Sequence, residues 1–201
     1  ITSHAPKKRH SIITDGQKTF LEIPASKRET SQNGSLDDED NILHALNLSA
    51  EYRESALPIY HSGFGNKFIL VPVQSSEILR SIQPNLSAIG ELSKQFNVVG
   101  FYPFTLETEN PGRDAQARMF APAYGINEES ASGMAAAALA HYLMKERGLN
   151  QDRILIEQGH HMKKASPSLL ETRLNRGWFG QLKSIQIGGQ TTKISELELD
   201  L

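Results

Sequence analysis

The sequence has 201 residues, of which 38% are hydrophobic and 22% charged, and this composition is typical of a globular protein. Its formal net charge of −2 gives no field that attracts nucleic acid, and no apolar run approaches the roughly 18 residues of a membrane span. The absence of cysteine excludes disulfides, thiolate metal ligands and a cysteine nucleophile, and it suits a cytoplasmic location. We therefore expect no nucleic-acid partner and no membrane partner.

The N-terminal quarter predicts a hairpin followed by a helix. Residues 11–14 and 19–23 alternate between polar and apolar around Asp15 and Gly16, a pair that favours a hairpin turn. After a polar loop over residues 25–35, the acidic run 37–40 precedes apolar residues at nearly helical spacing. Carboxylates favour the first turn of a helix because they complement its dipole.

The middle of the chain predicts strands that alternate with short helices and one polar loop. The run 68–73 is apolar throughout, which is typical of a strand buried on both faces. The predicted strands are residues 68–73, 98–102 and 117–121, the predicted helices are residues 76–82 and 86–96, and the loop is residues 105–116.

Residues 130–143 predict a helix of unusual composition. The stretch 133–140 has no polar face for over two turns, so we expect this helix to be buried on all sides. Four strands are predicted after it, over residues 154–157, 169–174, 182–187 and 193–199. Gly188 and Gly189 are predicted to close the last hairpin.

The segment leading into this helix carries the candidate site. The first N–H groups of a helix have no partner within it and bind anions readily. We expect the N–H groups of Ser132, Gly133 and Met134 to hold a carboxylate or enolate oxygen, with Glu129 accepting or donating a proton. The alternative is that a serine caps a structural helix and Glu129 only complements its dipole.

The residues of this segment resemble a known family. Residues 118–122 read Arg-Met-Phe-Ala-Pro, and residues 128–133 read Glu-Glu-Ser-Ala-Ser-Gly. They are similar to the signature of the phenazine-biosynthesis PhzF-like isomerases, in which an Arg-Met-Phe-x-Pro strand, an acidic-Asp-Pro-Ala-Thr-Gly turn and a small-residue helix follow one another. Similar stretches at residues 62–73 and 157–166 extend the resemblance over most of residues 55–175.

The resemblance implies an α+β fold like that of diaminopimelate epimerase. It is a curled mixed sheet or barrel wrapped around a buried central helix, with part of a second similar domain. The implied division is residues 1–56 as the remainder of an N-terminal domain, residues 57–180 as the C-terminal domain and residues 181–201 as closing strands. Members of the family are often homodimers, so a homodimer is expected here.

The resemblance also implies a cofactor-independent isomerase that moves a carbon-bound proton on a small anionic, carboxylate-bearing metabolite. Glu129 stands where the family commonly has Asp and is the expected catalytic residue, while Ser132, Gly133 and Met134 are expected to bind the substrate. No cofactor and no metal are expected.

A glutamate of the family's N-terminal domain has no counterpart here. We expect it in a preceding segment of about 80 residues, which belongs to the same chain or is a separate N-terminal fragment. The alternative function is a non-catalytic small-molecule-binding or scaffold protein that has lost this carboxylate.

Five further residues invite a functional or structural interpretation. His160 and His161 are adjacent on a predicted strand end, so their side chains point apart and do not suggest a shared metal. His61 either lines the cleft or is a structural histidine, and the structural role is favoured. Trp178 is predicted to be a packing anchor together with Phe179.

Overall fold

The structure is a computed structural model, and it describes residues 11–25, 38–149, 151–178 and 180–190. The strands are β1 (Ser11–Asp15), β2 (Lys18–Pro24), β3 (Tyr60–Phe64), β4 (Asn66–Pro72), β5 (Gly100–Thr105), β6 (Ala115–Ala117), β7 (Met119–Ala121), β8 (Ile126–Glu129), β9 (Arg153–Gln158), β10 (Ser168–Arg176) and β11 (Leu182–Gln190). The α-helices are α1 (Glu39–Ala45), α2 (Ser76–Ser81), α3 (Leu86–Gln95) and α4 (Gly133–Glu146), and the short 3₁₀ helices are Ala50–Tyr52 and Pro122–Tyr124.

One large mixed sheet organises the described residues. Its strands follow the order β1-β2-β11-β10-β9-β6-β5-β4-β3, and β7 pairs with both β5 and β8 beside this path. The pairs β4–β5 and β6–β9 are parallel, whereas the other pairs are antiparallel. The chain therefore has the mixed α+β architecture that was predicted.

Helix α4 lies in the larger of two hydrophobic cores. All residues from Ala135 to Leu143 are buried, because a helix that is apolar all round needs packing partners on every side. It contacts β3 and β4 at one end of the sheet and β10 and β11 towards the other. Small alanine side chains let these strands approach the helix axis closely.

The second core lies on the opposite face of β4, β5 and β7. Along β4, Phe68 and Leu70 point to the core around α4, whereas Ile69 and Val71 point to the core covered by α1, α2 and α3. This double burial explains why the β4 sequence is a continuous apolar run and not an alternating one.

Most predicted elements are confirmed, including the N-terminal hairpin, in which Asp15 pairs with Lys18 and Gly16 adopts a positive φ of 61°. Helix α4 begins at Gly133 and ends at Glu146, three residues later at each end than predicted. Strand β6 begins at Ala115, inside the predicted loop 105–116.

Two expectations about the C-terminal region are wrong. Gly188 and Gly189 do not close a hairpin: they lie within β11, where they pair with Phe20 and Thr19 of β2. These glycines allow β11 and its neighbouring strands to approach each other closely. A Cβ at Gly188 would collide with the Thr19 carbonyl oxygen of β2. Trp178 is not a packing anchor, because it is 96% exposed.

Other predictions fall outside the described residues. These are the strand 193–199, the loop residues from 26 onward and the side chain of Phe179. The division at residues 56/57 and 180/181 stays a prediction, and β1 and β2 join the same sheet as the remaining strands through β11. Among the described helices, none is long and apolar enough to cross a membrane.

Candidate active site

The turn between β8 and α4 opens into a cleft of about 340 Å³, a size that suits a small-molecule site. All four residues that the sequence nominated, Glu129, Ser132, Gly133 and Met134, line this cleft. Its remaining walls are mainly apolar or aromatic, and they are formed by Phe68, Val99, Met119, Tyr124 and Ile126. The structure thus brings one carboxyl group, one helix N-terminus and apolar walls to a single opening.

The strand alternation of β8 separates two consecutive glutamates. Glu128 pairs with Arg118 through two contacts, from Nε to Oε1 at 2.8 Å and from Nη2 to Oε2 at 3.0 Å. The next side chain, Glu129, points to the other face and into the cleft. Within the described part of the chain, its carboxyl has no hydrogen-bond or ion-pair partner. Glu128 is therefore neutralised by Arg118, and Glu129 is left for a ligand.

Partial burial of Glu129 changes its acidity. Loss of solvent raises the pKa of its carboxyl above the ordinary value of 4.5, because the ionised form is poorly solvated in the cleft. The phenol of Tyr102 lies near enough for the Glu129 charge to add to the effect of burial in raising the pKa of Tyr102. A carboxyl with a raised pKa is a stronger base when it is ionised.

The start of α4 supplies donors to the cleft in a different way from that expected. The backbone N–H of Ser132 donates to Oε1 of Gln158 at 3.3 Å, so it is not free for a ligand. The Ser132 hydroxyl makes no capping hydrogen bond and has no partner among the described residues. Donors for an anion are therefore the Ser132 hydroxyl and the N–H groups of Gly133 and Met134, which lie in the first helical turn.

Gly133 has a packing role in addition to its place at the helix start. A Cβ at this position would lie 3.2 Å from Cγ1 of Ile187 on β11. The missing side chain therefore allows α4 to approach β11 closely. The contact with Ile187 gives a structural reason for a glycine at this position.

The sequence of residues 10–196 matches the family described as "Phenazine biosynthesis-like protein". The chain belongs to this PhzF-like family. It is 30% identical over 163 residues to "Uncharacterized isomerase YddE" of Escherichia coli O157:H7, a match that covers 79% of this chain and 53% of the relative. It is 31% identical over 151 residues to the trans-2,3-dihydro-3-hydroxyanthranilate isomerase of Pseudomonas chlororaphis, covering 74% of this chain and 48% of that enzyme.

The fold is similar to that of solved PhzF-family structures. The Bacillus anthracis phenazine biosynthesis protein of the PhzF family superposes with a TM-score of 0.75 at 20% identity, over 96% of this chain and 64% of that one. A likeness at this identity shows the shared fold. The chain spans about half the length of the curated relatives that it matches.

The signature arginine of this PhzF-like chain holds the site's framework together. Besides pairing with Glu128, the buried Arg118 donates from Nη1 to the carbonyl oxygens of Leu79 at 3.2 Å and Ile82 at 2.8 Å. These carbonyls lie at the C-terminal end of α2, where helical acceptors lack partners. Arg118 also lies over the Phe120 ring, 4.9 Å from its centroid. It therefore joins α2, β7 and β8 and does not line the cleft.

Gln158 is the site residue that the sequence reasoning missed. The sequence indicates it only through the family resemblance of residues 157–166. Its side chain is nevertheless fully buried beside the turn that follows Glu129. A signal was present, because Ile154, Ile156 and Gln158 occupy alternate positions of β9 and share its core-facing side. A polar residue on the core side of a strand needs buried partners, and here those partners belong to the cleft.

The three histidines discussed from the sequence, His61, His160 and His161, do not line the cleft. His61 is on β3 and does not line it, and burial together with the nearby Lys67 lowers the pKa of its imidazole. The His160 and His161 rings are 6.4 Å apart, and Nε2 of His161 lies 3.8 Å from Glu109. Across the described ranges, no group of three or more His, Asp or Glu residues is arranged to hold a metal ion.

Proposed function

We propose that this chain forms part of a cofactor-independent isomerase that moves a carbon-bound proton on a small carboxylate-bearing metabolite, with Glu129 as the acid/base. The observation that carries the proposal is the partly buried Glu129 carboxyl, which has no partner among the described residues and lies beside the N-terminus of α4 in one cleft. Membership of a family whose relatives are named isomerases supports the reaction class.

In the proposed reaction, the substrate carboxylate binds at the Ser132 hydroxyl and the N–H groups of Gly133 and Met134. Hydrogen bonds and the helix dipole favour a negative charge at this place. The apolar walls contact the carbon skeleton, which agrees with a cyclic or amino-acid-like acid. Because these donors are fixed before binding, they also stabilise charge that develops on the substrate during proton removal.

Glu129 then removes a proton from a substrate carbon, and the C–H electron pair forms a new carbon–carbon double bond. The existing double bond shifts, and the protonated Glu129 returns the proton to another carbon. No electron is gained or lost overall. A bound anion raises the pKa of Glu129 further, because two negative charges in one cleft repel each other.

The family resemblance further leads us to propose that a second acid/base, a glutamate, comes from a segment outside residues 1–201, in the same polypeptide or as a separate fragment. We likewise propose a cytoplasmic location and a homodimer. The experiment below uses the natural gene product, so that such a segment is present if the protein has one.

The test measures deuterium incorporation from heavy water into trans-2,3-dihydro-3-hydroxyanthranilate, the compound in the name of the Pseudomonas relative. We expect exchange by the wild type and a loss of at least about 100-fold in Glu129→Gln, the scale of a general acid/base contribution. Affinity for the compound is expected to stay within about tenfold, because the donors at α4 remain.

Glu91→Gln is the control, since it removes an exposed carboxylate of α3 that does not line the cleft. It is expected to exchange deuterium within a few-fold of the wild type. Unchanged exchange in Glu129→Gln would rule out the proposed role of Glu129. Binding of the compound by the wild type without any exchange would instead support a non-catalytic binding protein.

A further inference from the structure

The buried amide of Gln158 bonds to both ends of the turn that carries the site. Its Nε2 donates to the Glu129 carbonyl oxygen at 2.6 Å, and its Oε1 accepts from the Ser132 N–H at 3.3 Å. Oε1 also accepts from the Tyr102 hydroxyl at 2.8 Å. The bonds to Tyr102 and Ser132 are buried and the bond to Glu129 is partly buried, so water is a poor replacement for a lost partner.

The neighbouring Gly159 holds the same turn by close backbone contact. Its φ is +83°, and a Cβ there would lie 3.0 Å from the Ser130 carbonyl oxygen and would collide with that of Ser166. The end of β9 therefore contacts the turn at residues 129, 130 and 132. Few backbone rotations of the turn are compatible with all of these contacts at once.

We propose that Gln158 is the positioning residue of this site: it fixes Glu129 and Ser132 relative to each other, so that the carboxyl and the helix N-terminus face one cleft. Its catalytic meaning rests on the proposed function, whereas its geometric role does not. Without the bonds of Gln158, a rotation of the strand end would turn the Glu129 side chain away from the cleft.

The charges and glycines that line two other cavities have structural roles. The cavity bounded by Lys18, Arg153, Glu171 and Arg173 is lined by charges that already pair with one another. Pocket-lining Gly188 and Gly189 are explained by the close approach of neighbouring backbones. Gln158 differs from both, because its partners are the backbone groups that bound the candidate site.

The test follows the Glu129 carboxyl by ¹³C NMR during a pH titration, without any substrate. In Gln158→Met, which keeps the volume but lacks all three bonds, we expect the titration midpoint to fall towards the ordinary 4.5. The physical reason is that the released turn lets the carboxyl reach solvent and lose the burial that raises its pKa.

Gln116→Met is the matched control. Gln116 is also a fully buried amide, it accepts from the Ser76 hydroxyl at 2.8 Å, and it does not line the cleft. The same substitution there removes a partly buried hydrogen bond and is expected to lower the melting temperature while leaving the Glu129 midpoint unchanged. A midpoint that moves equally in both variants would show general loosening and would overturn the proposal.

An unchanged midpoint in folded Gln158→Met would also overturn it. If the Met variant does not fold, Gln158→Asn keeps an amide that is one methylene too short to make all three bonds. Its midpoint is expected to fall in the same direction by a smaller amount, and no change there would contradict the proposal.

The titration separates this inference from the proposed function. A midpoint that falls as expected in a protein that exchanges no deuterium would keep the positioning role and reject the chemistry. Where the wild type does exchange, we expect Gln158→Met to slow turnover by up to about 100-fold, which is the effect of misplacing a catalytic group by about 1 Å.

Discussion

At the scale of single residues, two chemically identical neighbours have different roles because a strand directs them to opposite faces. Glu128 pairs with Arg118 through two hydrogen bonds, at 2.8 and 3.0 Å. Glu129 has no such contact among the described residues, and burial raises the pKa of its carboxyl. Burying a carboxylate without a partner lowers the stability of the folded state. Carboxyl groups with a pKa shifted in this way are typical of functional positions.

This difference predicts that Glu129→Gln stabilises the protein at neutral pH. A carboxyl whose pKa is raised by folding binds protons more tightly in the native state, so the native state is disfavoured as pH rises above the unfolded value. Removing the charge removes that penalty. We expect a higher melting temperature for Glu129→Gln at pH 7–8 and no difference at about pH 4, measured by thermal unfolding. A lower melting temperature at pH 7–8 would contradict this account.

At the scale of secondary-structure elements, Arg118 connects α2 with β7 and β8. We predict that Arg118→Met destabilises the protein by about 3–5 kcal/mol, because it leaves Glu128 as a poorly solvated charge without its partner. The double variant Arg118→Met/Glu128→Met is expected to lose less than Arg118→Met alone. Urea unfolding of Arg118→Met, Glu128→Met and the double variant measures this coupling. A double variant that is as unstable as the sum of both single variants would show that the pair is not coupled.

The elements also show what periodicity predicts and where it fails. The composition of α4 predicted its burial, since an all-apolar helix has one stable location. The start of α4 is predicted three residues too early because Ser130 and Ser132 both suit the position before a helix. The hydrogen bond from Ala136 N to Ser132 O determines that Ser132 precedes the helix. Gly188 predicts a turn from the sequence, because a sequence does not show that a neighbouring strand requires the space of its side chain.

The candidate site was only partly predictable for a related reason. Glu129, Ser132, Gly133 and Met134 are adjacent in sequence, so local reasoning was enough to group them. Gln158 is 26 residues from Ser132 in the chain, and its bond to that residue depends on how β9 packs beside the turn. The exclusion of the Ser132 N–H from ligand binding follows from the same long-range contact.

At the scale of the whole molecule, a cluster of charges around the buried Glu171 links strands on the face of the sheet opposite α4. Glu171 on β10 accepts from Lys18 of β2 at 2.6 Å, from Arg153 of β9 at 3.2 Å and from Arg173 at 2.9 Å. Its side chain is only 4% exposed. Burial alone would raise its pKa, but these three cations together outweigh that effect and lower the pKa to about 2.

This cluster predicts an acid-sensitive part of the stability. A carboxyl whose pKa is lowered by folding stabilises the native state above the unfolded value of 4.5, and this contribution is lost as pH falls from about 4.5 to 2. We expect it to be on the order of 2 kcal/mol, since Lys18 and Arg153 are partly exposed and solvent screens them. Urea unfolding at pH 6 and pH 3 should show a smaller loss for Glu171→Gln than for the wild type. An equal loss in the two proteins would place the acid sensitivity elsewhere.

The central claim is that Glu129 transfers the substrate proton, and the most direct measurement is the pH dependence of deuterium incorporation, compared with the NMR titration of Glu129. At substrate concentrations well below saturation, we expect the exchange rate to rise with pH through an apparent pKa above 4.5 that coincides with the Glu129 midpoint. The reason is that the base must be ionised to accept the proton. We also expect Glu129→Gln to lose this exchange. An apparent pKa of exchange that differs from the Glu129 midpoint, or exchange that persists in Glu129→Gln, would contradict this role of Glu129.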